Sequence, residues 1–296
     1  MMLRRAYYSD DRVQLLTGDA LEKISGLAAG SVQTIVTSPP YFGLRDYGHP
    51  GQYGQERTLA DYVIRLTALF DEARRVLADD GTLWLNLGDA YGPRKQLMGV
   101  PWRVAFALQD SGWTLRNSIV WHKPNAMPSN VKDRMGSRHE NIFLFSKGSR
   151  YFFDLDAVRV PYTGDRKLSR RVHKSANKAN TARGVWGLDE AQASRGRNPG
   201  DVWSISTRPY PAAHFATFPV DIPERCIKAS SRLGDTVLDP CSGSGTTGMA
   251  ALGLGRRYIG IDIRSEYHEL AMDRMALPVS SATHTEESTH GQDPTH

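Results

Sequence analysis

Ser38-Pro39-Pro40-Tyr41 sets a hydroxyl, two proline carbonyls and a phenol ring directly after the β-branched apolar run Ser31 to Thr37. Such a run reads as a buried strand, and reactive groups of α/β sheets collect where strands end. The two prolines fix the backbone and remove two N–H donors, so the loop offers acceptors in a rigid frame. Acceptors suit one problem well. The exocyclic amino nitrogen of a nucleobase is a poor nucleophile because its lone pair is delocalised into the ring. Hydrogen bonds from its N–H groups to Ser38 Oγ and the Pro39 carbonyl would localise that pair, leaving a displacement governed by positioning. Tyr41 would supply an aromatic face for a base rotated out of a duplex. A bare Ser-Pro-Pro turn is common, so the loop needs its context.

A second group lies far downstream. Asp239-Pro240-Cys241-Ser242-Gly243-Ser244-Gly245-Thr246-Thr247-Gly248 follows an apolar run and opens a small-residue helix, and Asp262 ends the next apolar run. Glycines of this spacing let backbone approach a ligand, the helix N-terminus presents free N–H groups, and a strand-end acid binds ribose hydroxyls. NAD and S-adenosylmethionine both fit that description. Two features disfavour NAD: little chain follows the loop, and Asp239 would repel a pyrophosphate while suiting an ammonium group. Pro240-Cys241 falls inside this loop, so Cys241 reads as a packing residue and not as a nucleophile.

The elements that would position both groups alternate. Thr58 to Leu77 places Leu59, Val63, Leu66, Phe70, Ala73 and Leu77 on one helical face, with Thr58 and Asp61 as a capping box and Asp80-Gly81 as the stop. Strands are expected at Thr82 to Leu87, Ser118 to Trp121, Asn141 to Phe145, Thr236 to Asp239 and Tyr258 to Ile263. This is the pattern of an α/β chain with a doubly wound, parallel sheet and ligands at the carboxyl ends of its strands.

Charge is unevenly spread. The net charge is +5, yet residues 150–200 hold eleven Lys or Arg against five acids, so the remainder is slightly acidic. That stretch reads as a loop-rich basic insertion between a catalytic half (1–149) and a cofactor half (201–277), and the polar tail 278–296 is expected to be disordered. Two cysteines offer neither a disulfide framework nor a zinc site, and no metal is expected. No apolar signal core or membrane-length run is seen, which leads to the expectation of a cytoplasmic protein.

Taken together the motifs resemble the amino-methyltransferases of DNA, in the permuted subgroup whose catalytic motif precedes the cofactor motif. The matching stretches are GDAL (18–21), TSPPYFGLRDYG (37–48), LNLGDAY (85–91), IVWHKPNAMPSNVKDRMGSRHENIFLFSK (119–147), HFATFP (214–219), DPCSGSGTTG (239–248) and IGIDI (259–263). The resemblance implies a Rossmann-like methyltransferase sheet in permuted order, S-adenosylmethionine as cofactor and duplex DNA as substrate. It makes Ser38, Pro39, Pro40 and Tyr41 the amine-binding loop. Asp239, Ser242, Gly243, Gly245, Thr246 and Thr247 would hold the methionine part of the cofactor, and Asp262 its ribose. His214, Phe215 and Pro219 would pack beside the cofactor, with Asp19 on its adenine side. Trp121, His122, Lys123 and Asn125 correspond to the base pocket, where His122 could equally be structural; Asp89 either lines that pocket or caps a strand end. Ser at the first loop position is usual for cytosine-N4 enzymes, whereas Asp or Asn usually marks adenine-N6 enzymes. A cognate restriction endonuclease is a possible functional partner. A dehydrogenase leaves the Ser38 loop unexplained, a non-catalytic DNA-binding module needs neither loop, and protein or RNA amino-methyltransferases normally place the glycine loop first.

The basic stretch is where the family carries its target-recognition region, with Arg166, Lys167, Arg170, Arg171, Lys174 and Lys178 as candidate phosphate contacts. Neutralising Arg166, Lys167, Arg170 and Arg171 together should weaken DNA binding and flatten its salt dependence by up to about 0.9 log units for each phosphate no longer neutralised. Cofactor binding should survive. Wild-type affinity and salt slope in that variant would place recognition elsewhere.

Overall fold

The computed structural model describes residues 6–161, 195–208 and 218–278. The order of elements is β1 (Tyr8–Ser9), β2 (Val13–Thr17), α1 (Ala20–Ser25), β3 (Val32–Thr37), α2 (Leu59–Val76) and β4 (Leu77–Leu87). Then come α3 (Val100–Asp110), β5 (Thr114–His122), β6 (His139–Ser146) and β7 (Val202–Ser204). The chain closes with α4 (Asp221–Ser230), β8 (Thr236–Asp239), α5 (Thr246–Gly253), β9 (Arg257–Asp262) and α6 (Ser265–Arg274).

These strands form one sheet in the order β1-β2-β9-β8-β3-β4-β6-β5-β7. Side chains alternate across it. Leu83, Leu85 and Leu87 of β4 face the core under α1, α2 and α3, while Trp84 faces the core under α4, α5 and α6. The result is a helix–sheet–helix sandwich, the α/β architecture expected from the alternating runs. Helix α2 begins at the expected cap: Thr58 accepts from Asp61 N at 3.1 Å. Its buried stripe is Tyr62, Leu66, Leu69, Phe70, Ala73 and Val76, so Leu59 and Val63 sit at its edge.

Two expectations are corrected. The helix stops at Val76 without Asp80-Gly81, because Leu77 turns extended (ψ 140°) and starts β4 at once. The extra residues are absorbed as a register shift against β3 between Val32 and Thr34. The sheet is also not wholly parallel: β6 runs antiparallel to both β4 and β5, and β1 antiparallel to β2. A tight β5–β6 hairpin has no room for the crossover helix that a parallel pair needs.

β3 and β8 are neighbours at the centre. β3 leads through α2 to β4 on one side, and β8 leads through α5 to β9 on the other. Loops leaving two adjacent strands in opposite directions open a crevice, the usual ligand position of such sheets. Val160 and Arg197 exchange backbone hydrogen bonds of 3.0 and 2.8 Å, so the chain leaves and re-enters the described structure at one place before β7 joins the sheet edge. The basic residues Arg166 to Lys178 lie outside the described residues, as do His214, Phe215 and the tail beyond Pro278. No helix among the described residues is long and apolar enough to cross a membrane.

Candidate active site

The crevice holds a cavity of about 520 Å³. One end is walled by Ser38, Pro39, Pro40, Tyr41, Asn86, Trp121, Lys123 and Glu140, the other by Gly18, Asp19, Cys241, Gly243, Ser244, Asp262 and Tyr267. The two groups singled out in the sequence, some two hundred residues apart, therefore share one chamber.

The link between them is Asp239. It is 2% exposed and accepts Thr37 Oγ1 (2.7 Å), Thr247 Oγ1 (2.7 Å) and Cys241 N (3.0 Å). Burial pushes its carboxyl up to about 6, against the lowering pull of those bonds. This carboxylate ties the end of β3 to the glycine loop and does not line the cavity. Ser242, Gly245, Thr246 and Thr247 likewise sit behind the wall. Ser242 Oγ meets Tyr258 OH at 2.8 Å, and Thr246 Oγ1 accepts Arg274 at 3.0 Å. At Gly245 (φ 76°) an added Cβ would lie 2.7 Å from Ala271 Cβ, so this glycine lets α5 pack on α6. Gly243 differs: a Cβ there would meet nothing within 4 Å, and its N–H donates to Asp262 Oδ2 at 2.8 Å.

Asp262, 9% exposed, also accepts Arg264 N at 3.0 Å, and burial lifts its carboxyl to about 6. Each of its oxygens keeps a lone pair toward the cavity. Asp19 caps α1 through Glu22 N at 3.1 Å and lies 3.6 Å from Arg65. Burial first, then Asp239 and Asp262, push the Cys241 thiol well up, which keeps it protonated. Phe218 lines the cavity where the sequence pointed to Pro219; the Pro219 carbonyl instead starts α4 by accepting Ile222 N at 3.0 Å.

At the other end four elements converge on one carboxylate. Glu140, the second residue of β6, accepts Tyr41 OH (2.6 Å) and Asn86 Nδ2 (2.8 Å) on Oε2, and the Lys123 ammonium on Oε1. Asn86 also donates to Tyr41 OH at 2.8 Å, and Ser38 Oγ lies 3.1 Å from that phenol oxygen. The single Tyr41 proton goes to Glu140, so Ser38 must donate to Tyr41 and keeps acceptor capacity for a ligand. Burial, then the Glu140 charge, hold the Tyr41 phenol well above its ordinary pKa, so it stays protonated. Tyr62 OH fixes the loop by donating to the Pro40 carbonyl at 3.0 Å. The Tyr41 ring fits because residue 88 is glycine; a Cβ there would stand 2.6 Å from it.

Lys123 packs 4.4 Å over the Trp121 ring, both on the cavity wall. The other expected pocket residues are occupied differently. Asp89 caps the start of α3 by accepting Val100 N at 2.9 Å, and His122 Nδ1 pairs with Ser204 Oγ at 3.2 Å. Asn125 holds Thr207 through its main chain (2.8 and 2.9 Å), which steadies a wall residue without reaching the cavity. Glu140, Asn86 and Phe218 escaped the sequence reading. Their signal was faint, since Asn86 and Glu140 sit inside motif stretches with nothing to mark them as partners of Tyr41. Among the described residues no His, Cys, Asp and Glu cluster could hold a metal.

Comparison with known proteins agrees with this geometry. A DNA methylase family model of the N6/N4 methyltransferase type matches residues 32–273. The Type II methyltransferase M.XycI of Xanthomonas campestris pv. cyanopsidis is 44% identical over 289 residues, covering 88% of this chain and 87% of its own length. M.Cfr9I of Citrobacter freundii is 41% identical with the same coverage of 88% and 87%. Among solved structures, PvuII DNA methyltransferase (cytosine-N4-specific) shares the fold with a TM-score of 0.71 at 21% identity, over 94% of this chain and 91% of that one. A DNA modification methylase of Thermus thermophilus, solved with S-adenosyl-L-methionine, has a TM-score of 0.61 at 26% identity, over 90% of this chain and 95% of that one. The chain belongs to the N6/N4 DNA methylase family.

Proposed function

We propose that this protein transfers a methyl group from S-adenosylmethionine to the N4 amino group of cytosine in duplex DNA, at a specific site. The carrying observation is the single cavity with an amine-accepting loop at one end and an acid-and-glycine loop at the other. When bound, the cofactor supplies a methyl group activated by its sulfonium. The residues present suit it: Gly243 leaves room at the wall, Asp262 offers acceptors for ribose hydroxyls, and Asp19 and Tyr267 line the same end.

At the reacting end the chain orients the base and manages a proton. Ser38 Oγ and the Pro39 carbonyl accept the two amino hydrogens, and Trp121 with Tyr41 bounds the ring. The proton that the amine must shed moves to Ser38 Oγ as the Ser38 proton moves to Tyr41 and the Tyr41 proton to Glu140. Glu140 ends as the neutral acid. The chain of contacts is 3.1 and 2.6 Å long, within reach of direct transfer. Cytosine is favoured because Ser38 stands where adenine enzymes of the family usually carry Asp or Asn. The serine gains its anionic partner indirectly, through Glu140. The Type II methyltransferases at 44% and 41% identity support a further reading, that the enzyme protects DNA against a cognate restriction endonuclease.

Nucleoside mass spectrometry of DNA from cells expressing the chain should show N4-methylcytosine, and methylation-aware sequencing should give its site. N6-methyladenine as the sole product would overturn the choice of base. For the cofactor, Asp262→Ala should weaken S-adenosylmethionine binding on the order of tenfold, as expected when a charge-assisted hydrogen bond is removed. The ionised carboxylate is the better acceptor, so wild-type affinity should fall as pH drops through about 6, while Asp262→Ala stays flat. Calorimetry that finds equal affinities removes Asp262 from the site. For the proton, Glu140→Gln preserves shape but not basicity. It should lower kcat on the order of a hundredfold with DNA and cofactor affinity kept. An unchanged kcat excludes the relay.

A further inference from the structure

The loop that joins β5 to β6 leaves the cavity wall at Lys123 and returns to it at Glu140, closed at its base by Lys123 N donating to Arg138 O at 2.8 Å. Every residue from 127 to 139 is exposed. Met127 is 89% and Met135 91% exposed, so two flexible apolar side chains project into water at the rim of the base-binding end. Exposure of that kind marks an interaction surface more often than it serves the fold. Between the methionines the loop carries Lys132 and Arg134 against Asp133, and Arg138 follows them.

A second loop, between β4 and α3, is bound to the first. Lys95 Nζ reaches Asp133 at 2.6 Å, and the Arg134 guanidinium stacks 3.7 Å over the Tyr91 ring. Arg94 and Lys95 hold left-handed backbone (φ 60° and 62°), a conformation non-glycine residues keep only when their surroundings impose it. The two loops thus form one braced, basic projection with apolar tips, rooted in residues that wall the cavity.

We propose that this projection is the arm that engages duplex DNA beside the target base, with Lys132, Arg134 and Arg138 on phosphates and Met127 and Met135 entering the stack where the base has left it. The proposal rests on the reading of the cavity as the seat of an extruded base. Positive charge fits a polyanion, and apolar wedges are a recurrent means of holding a duplex open at one step. The position is also right, because the wedge and the pocket share the Lys123–Glu140 root.

The test uses the full chain and a duplex bearing the site found by sequencing, with 2-aminopurine at the target position. Met127→Ala/Met135→Ala should bind this duplex nearly as the wild type does but lose the fluorescence rise of base extrusion. On the ordinary duplex it should methylate on the order of tenfold more slowly, and a mismatch opposite the target should restore most of the rate, because an unpaired base leaves the stack at less cost. Lys132→Ala/Arg134→Ala should reduce the salt slope of binding by up to about 0.9 log units per phosphate released. Equal calorimetric affinity for S-adenosylmethionine in both variants shows that they are folded. Wild-type fluorescence and rate in the methionine variant, or a slow rate that a mismatch does not rescue, overturns the wedge. An unchanged salt slope overturns the phosphate grip. Failure of the wild-type chain to methylate duplex DNA would instead count against the underlying reading of the cavity.

Discussion

The site depends on one buried carboxylate. Asp239 stands where β3 and β8 diverge and binds the last residue of one strand, Thr37, to the loop that follows the other. Ser38 is the next residue after Thr37, and Gly243 lies four residues beyond Asp239. A shift at this junction would move the amine loop and the glycine loop relative to each other. Enzymes that work by positioning lose rate steeply with small misplacements. The clamp is not there for stability. A carboxyl raised from 3.8 to about 6 by burial costs on the order of 3 kcal/mol at neutral pH. In sign, its contribution to folding is greatest below the ordinary carboxylate pKa and is lost as pH rises through about 6. The fold bears that cost to hold two loops in register.

A second constraint follows from the antiparallel strand. Because β6 runs against β4 and β5, its beginning, not its end, lies at the edge of the sheet where the loops of β3 and β4 also emerge. Glu140 near the start of β6 can therefore meet Tyr41 after β3 and Asn86 near the end of β4, with Lys123 arriving from the end of β5. A wholly parallel sheet would place that end of the strand on the opposite edge. The inversion of one strand thus brings the anion to Tyr41.

This explains what was legible in the sequence. The Ser38 loop, the glycine loop and Asp262 were readable because their chemistry is local: proline spacing, glycine spacing and the end of an apolar run. The core strands were readable for the same reason, since β3, β8 and β9 are short apolar runs with clear stops. Glu140 and Asn86 were not, because their role exists only through pairing of strands distant in sequence. Asp239 and Asp89 were read as facing ligand or pocket, but an acid at a strand end can as well satisfy nearby hydroxyls and N–H groups, and both do so here. The early break of α2 at Val76 was hidden because Leu77 continues the apolar stripe while its backbone has already turned.

Charge in the cofactor end also bears on which adenosyl cofactor fits. A dinucleotide site relies on a helix N-terminus and free loop N–H groups facing a pyrophosphate. In this loop the Gly243 and Cys241 N–H groups are already committed to Asp262 and Asp239. Both acids are buried, and burial leaves charges weakly screened. An approaching diphosphate would meet two carboxylates and few unoccupied donors. A cofactor carrying a sulfonium and an ammonium meets the opposite field, in which the same acids attract. The glycine spacing is common to both ligand classes, and it is the acids folded behind and beside it that separate them.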